Sequence, residues 1–217
     1  MTIEMIYWDL GGVVVKDNVE PAFESFGLTW GDRQREAWRE CMLGTRTVRD
    51  MYREALEGTG QENRLEELVQ TGERMITLQP DGALPLMQAL HDVGCKQGII
   101  SNHATEYGAY IRQLCGLDAY CDPRLIIVSA DVHCDKRGTE IFDIALDRAG
   151  TAPEKTLFFD NLQRNIDVAR SATATRAGLH AELFIDTQQA AGILRSTYDI
   201  NVGEPLLEKH HGENNRH

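Results

Sequence analysis

Short apolar runs that alternate with glycine-closed helical stretches are the feature that most constrains this chain. Ile3–Val15, Gln97–Ser101, Leu125–Ser129, Thr156–Asp160 and Glu182–Asp186 each carry a run of β-branched, aliphatic or aromatic residues, the composition of strands buried on both faces. Between them, apolar residues recur at helical spacing, as in Ala83, Leu86, Met87 and Leu90, or Ile141, Ile144, Ala145 and Leu146. Gly94, Gly116 and Gly150 stand where helix C-terminal caps belong. Strand alternating with helix at this pace predicts an α/β fold with a parallel sheet and right-handed crossovers. Such a sheet brings the residues at its strand ends, here Asp9, Ser101, Ser129, Asp160 and Asp186, to one edge. Ser129 and Asp186 are read there as ordinary polar strand ends.

The alternation fails between residues 17 and 79. Trp38, Met42 and Leu43, then Val48, Met51, Tyr52 and Leu56, then Leu65, Leu68 and Val69 repeat at helical spacing, with no strand pattern. The expected organisation is a core of residues 1–16 and 80–205, an all-helical cap of residues 17–79 inserted after the first strand, and a polar disordered tail, 206–217. Trp30 and Trp38 are assigned first to packing in the cap, and only second to contact with a substrate.

The 22 Lys and Arg against 34 Asp and Glu give a net charge of −12. The basic residues form no stripe, which argues against a nucleic-acid partner. Cys41, Cys95, Cys115, Cys121 and Cys134 have no C-x-x-C spacing and read as reduced thiols of a cytoplasmic protein. The first apolar run is interrupted by Glu4 and Asp9 and is too short to span a bilayer. The histidines between Glu208 and His217 are read as part of the tail, not as a metal site.

The chemistry concentrates in four places. Asp9 ends the first strand and precedes Gly11 and Gly12, where backbone amides can approach an anion. Ser101 and Asn102 offer a hydroxyl and an amide to phosphoryl oxygens. Lys136 can hold a carboxylate and a phosphate together despite their like charge. Asp160, with Asn161 beside it, can help to bind a divalent cation near Asp9. Each alone has a plain structural explanation; their order and strand context together are specific.

Over nearly its whole length the chain resembles the haloacid-dehalogenase-like hydrolase superfamily. Trp8-Asp9-Leu10-Gly11-Gly12-Val13 is similar to its first motif and Ile99-Ile100-Ser101-Asn102 to its second. Lys136 with Ile141-Phe142 is similar to the third, and Phe158-Phe159-Asp160-Asn161 through Asn165-Ile166 to the fourth. The nearest likeness is to sugar-phosphate phosphatases with a helical cap. The resemblance implies a Rossmann-like sheet flanked by helices and a magnesium-dependent phosphatase of a small phosphorylated metabolite. Asp9 would be the nucleophile and would form an aspartyl-phosphate. Lys136 would assist it, and Ser101, Asn102 and Gly12 would bind the phosphoryl group. Asp9, the Gly11 carbonyl, Asp160 and Asn161 would hold Mg2+, in a monomer or homodimer.

Three departures from the pattern bear on this expectation. Gly11 stands where many relatives carry an acid that moves protons, Asn161 where many carry a second metal-binding acid, and Arg137 where a proline often follows the lysine. His103 is a candidate to replace the missing acid, with a surface role as the plainer alternative. Two rival functions follow. One is a metal-free 2-haloacid dehalogenase in which Arg46 or Arg49 binds the substrate carboxylate. The other is a protein that keeps the fold for binding or regulation without turnover. His133 and Cys134, adjacent on one loop, are read as incidental.

Overall fold

The computed structural model describes residues 2–171 and 178–203. The expected tail and its histidines therefore lie outside the described residues. Five parallel strands form the central sheet in the order β5-β4-β1-β6-β7, with β1 Met5–Trp8, β4 Gln97–Ser101, β5 Ile126–Val128, β6 Thr156–Asp160 and β7 His180–Leu183. The crossovers after β1 and β4 build the sheet outward on one side, and the path then returns past β1 to β6 and β7 on the other. The topological switch falls between β1 and β6, and a ligand crevice in an open α/β sheet opens above such a point.

Residues alternate between two buried faces along the inner strands. Ile6 and Trp8 of β1, Ile99 of β4, and Leu157 and Phe159 of β6 pack on one face; Met5, Tyr7, Ile100 and Phe158 pack on the other. The second face is covered by α8 Glu140–Ala149 and α9 Gln163–Arg170, through Ile141, Phe142, Ala145 and Ile166. The first is covered by α5 Leu84–Asp92 and α10 Thr187–Tyr198, and its cluster runs on without a break into the insertion.

The insertion carries the helices α1 Glu20–Ser25, α2 Asp32–Met42, α3 Val48–Leu56 and α4 Leu65–Arg74. In α3 the buried residues Val48, Met51, Tyr52 and Leu56 trace one helical face. The spacing did not reveal a two-stranded antiparallel ribbon at its base, where β2 Val15–Lys16 pairs with β3 Thr77–Leu78. Two residues per strand are too few to show a period. Among the described residues, four polar contacts tie the helices to the core. The Ser129 hydroxyl donates to the Met42 carbonyl at 2.6 Å, the His133 ring to the Leu43 carbonyl at 3.0 Å, and the Val48 N–H to Glu106 at 3.0 Å. The fourth joins the hydroxyls of Tyr52 and Tyr107, the latter on α6 Thr105–Leu114.

The last strand is displaced from the expected Glu182–Asp186 to His180–Leu183. Its register is set by pairing with β6, from Leu157↔His180 to Asp160↔Leu183. Asp186 instead caps α10, accepting the Gln189 N–H at 2.7 Å. Gly94, Gly116 and Gly150 adopt positive φ at helix ends, as expected. All five cysteines are free thiols, and burial pushes Cys41 and Cys121 up to about 12.

Candidate active site

Asp9 lies one residue beyond β1, with its N–H donated to the Phe159 carbonyl at 2.9 Å, so the sheet ladder fixes its backbone. The chain then turns tightly: the N–H groups of Val13, Val14 and Val15 all converge on the Leu10 carbonyl. Gly12 has φ +74°, and a Cβ there would stand 2.1 Å from the Asn161 side-chain nitrogen. Only glycine meets both conditions. The Gly12 N–H is donated to the Val15 carbonyl at 2.7 Å. Gly12 lines the pocket with its own N–H engaged in the turn, and it makes room for Asn161.

Lys136, between α7 Ser129–Val132 and α8, reaches under the strand ends. Its ammonium lies 2.7 Å from Asp9 Oδ1 and 2.6 Å from Asp160 Oδ2, and Lys136 and Asp160 are 1% and 0% exposed. A buried lysine at this depth is tolerable only because two carboxylates compensate it. The backbone of its loop is held by Asn102, whose Oδ1 accepts the Lys136 N–H at 3.0 Å. The carboxyl of Asp9 is pushed up to about 6, mainly by burial, with the charge of Asp160 adding to the shift and Lys136 opposing it.

Asp160 accepts three hydrogen bonds. Its Oδ1 accepts the Leu162 N–H at 2.8 Å, and its Oδ2 takes Asn165 at 2.9 Å as well as Lys136. It does not line the pocket above Asp9. Here the Asp160 side chain anchors Lys136, and Asn165 anchors Asp160. Asn161 points the other way and does line the pocket.

The pocket encloses about 620 Å³ and brings together Asp9, Gly11, Ser101, Asn102, Lys136 and Asn161. Among the described residues four buried side-chain polar atoms have no partner, and two of them belong to residues that line the pocket: Ser101 Oγ and Asn161 Oδ1. Leaving such groups unpaired costs about 1–3 kcal/mol each, and a ligand that met them would recover that cost. Further wall residues include Lys16 of the ribbon, Asp17 and Asn18 just after it, Gln79, and Arg164 on α9. Trp38 and Met42 of α2 also face the pocket, so Trp38 does more than pack. Trp30 lies edge-on to Phe23, as a packing residue should. His103 does not line the pocket; it sits behind Asp17, with its Nε2 2.9 Å from Asp17 Oδ2. Arg46 pairs with Glu40 and Glu54, Arg49 pairs with Glu66, and neither lines the pocket.

Among the described residues no group of three or more His, Cys, Asp or Glu side chains is placed to hold a metal. Of the expected metal ligands, Asp9, Gly11 and Asn161 line the pocket, and the Asp9 carboxylate, the Gly11 carbonyl and the unpartnered Asn161 amide oxygen are donors of the type Mg2+ prefers. No described helix is long and apolar enough to cross a membrane.

No protein-family model matches the sequence, and no curated protein matches it. Solved structures do match. A HAD family enzyme from Bacteroides thetaiotaomicron superposes with a TM-score of 0.74 at 16% identity, covering 90% of this chain and 100% of that one. A complex of the same enzyme with magnesium and inorganic phosphate gives 0.69 at 17% identity, covering 85% and 95%. The L-2-haloacid dehalogenase from Xanthobacter autotrophicus, with chloropropionic acid covalently bound, gives 0.54 at 17% identity over 91% and 84%. The chain therefore shares the fold of these haloacid-dehalogenase-type enzymes.

Proposed function

We propose that the chain is a hydrolase of small phosphate monoesters that works through an aspartyl-phosphate on Asp9. The observation that carries this reading is the convergence of a lysine-paired nucleophile with unpartnered buried groups, Ser101 Oγ and Asn161 Oδ1, around one pocket. Lys136 holds the Asp9 carboxylate by one oxygen and leaves the other to attack phosphorus. The Ser101 hydroxyl, the Asn102 amide and the Lys136 ammonium are donors suited to the equatorial oxygens as negative charge spreads over them. Asp9 and Asn161 would hold magnesium, which supplies charge neutralisation for the phosphoryl group. The magnesium and phosphate bound by the Bacteroides enzyme support the same assignment. Trp38 and Met42 close the pocket from the helical side, which favours a small metabolite over a polymer.

A second reading, halide displacement from a 2-haloacid, is favoured by the neutral Asn161 and by the fold shared with the Xanthobacter dehalogenase. Against it, the arginines proposed to bind a substrate carboxylate are engaged within the insertion. One assay separates the two. Magnesium-dependent release of phosphate from an aryl phosphate, abolished in Asp9→Asn, is expected; metal-independent release of halide from a 2-haloacid, with no phosphate release, would replace the first reading by the second.

A further inference from the structure

We propose that Asp17, held by His103, is the residue that carries protons in this site, an inference that rests on the phosphatase reading above. Cleaving an unactivated phosphate ester requires a proton for the departing oxygen, and hydrolysing the acyl phosphate requires a base for water. The titratable side chains lining the pocket are Asp9, Lys16, Asp17, Lys136 and Arg164. Asp9 is the nucleophile, Lys136 is locked between two carboxylates, and an arginine does not release its proton. Lys16 is exposed and pairs with no charged group among the described residues. Asp17 is different.

Its carboxylate fills the space that Gly11 leaves open in the wall of the same pocket as Asp9. A Cβ built on Gly11 would lie 2.8 Å from each Asp17 oxygen, so a side chain at residue 11 would require the Asp17 carboxylate to move. The position is fixed from two sides. Asp17 directly follows β2, which is pinned by its pairing with β3. Its Oδ2 is 2.9 Å from Nε2 of His103, a residue 1% exposed, whose ring meets Trp38 and Tyr107 edge-on. The Asp17 side chain is still 28% exposed and can exchange its proton with solvent. His103 touches neither the pocket nor the reacting atoms and acts as a positioning residue.

The cycle balances on one proton. As the Asp9–phosphorus bond forms and the ester P–O bond breaks, protonated Asp17 gives its proton to the leaving alkoxide, which departs as an alcohol. Water then attacks the same phosphorus and its proton passes to the Asp17 carboxylate; the bond to Asp9 breaks, freeing phosphate and restoring both side chains.

The test uses the full chain with magnesium, an aryl phosphate and an alkyl phosphate, comparing wild type with Asp17→Asn and His103→Gln. Asp17→Asn is expected to lower turnover of the alkyl ester by a factor of about a hundred to ten thousand. On the aryl ester, whose leaving group needs no proton, the variant should release a burst of phenol and then stall as the acyl phosphate accumulates. His103→Gln should show the same split between esters, with a smaller loss. A carboxylate moved back by Gly11→Asp in an Asp17→Gly background should recover at least tenfold over Asp17→Gly alone. Equal losses on the two esters without a burst, or no loss at all, would overturn the role of Asp17 while leaving the phosphatase reading intact. A wild type that hydrolyses neither ester would overturn that reading, and this role with it.

Discussion

The floor and the rim of the pocket are built on opposite plans. On the floor, Asp9, Lys136 and Asp160 are buried, paired and fixed by the ends of parallel strands, with Asn102 and Asn165 holding them from behind. Around the rim, Lys16 and Arg164 are exposed and take part in no ion pair among the described residues, while Trp38 and Met42 come from a separate helical layer. The floor is organised before any ligand arrives, the condition under which electrostatic stabilisation acts without reorganisation. The rim stays free to meet what a substrate brings. On the phosphatase reading, reaction type and substrate choice would be written in different parts of the chain.

Breaking the floor should cost stability as well as activity. Lys136→Ala leaves Asp9 and Asp160 buried with uncompensated charge, and urea titration should show a loss of about 3–5 kcal/mol. A loss under about 1 kcal/mol, the scale of an exposed pair, would mean that the triad is not the sealed unit described here.

A smaller effect sharpens the same contrast through pH. The Asp9 carboxyl is raised by burial from 3.8 to about 6, so between those values the folded chain keeps a proton that the unfolded chain has lost. Stability attached to this group therefore falls as pH rises through the window: the penalty is absent below about 4 and complete above about 6. Asp9→Asn does not carry the penalty. Its stability relative to wild type should rise by about 3 kcal/mol between pH 4 and pH 7, and a constant difference across that range would contradict the assignment.

The smallest effects belong to the rim. Lys16→Ala and Arg164→Ala should raise KM by a factor of about three to ten with kcat nearly unchanged, the pattern for lost uniform binding. Equal falls in kcat and kcat/KM would place one of them on the floor instead.

The two regions also differed in how far the sequence disclosed them. Asp9, Ser101, Asn102 and Lys136 were legible because a parallel sheet delivers every strand end to one edge, whatever the separation in the chain. The role of Asp160 was not, since a residue type does not say which of its oxygens are already taken by Leu162, Asn165 and Lys136. Asp17 and His103 are 86 residues apart and meet only through the packing of two elements. Nothing in the pattern around Asp17 marked it as more than the start of the insertion. The edge strand slipped for a related reason: Leu183, Phe184 and Ile185 form the most apolar run there, but pairing with β6 selects His180–Leu183.

All of this depends on Asp9 acting as a covalent carrier, and the most direct measurement is acid-quenched turnover of an aryl phosphate followed by peptide mass spectrometry. The wild type should show one phosphoryl group on the peptide that contains Asp9, and Asp9→Asn should show neither the adduct nor phosphate release. Sustained phosphate release from Asp9→Asn, or an adduct on any other residue, would contradict the account.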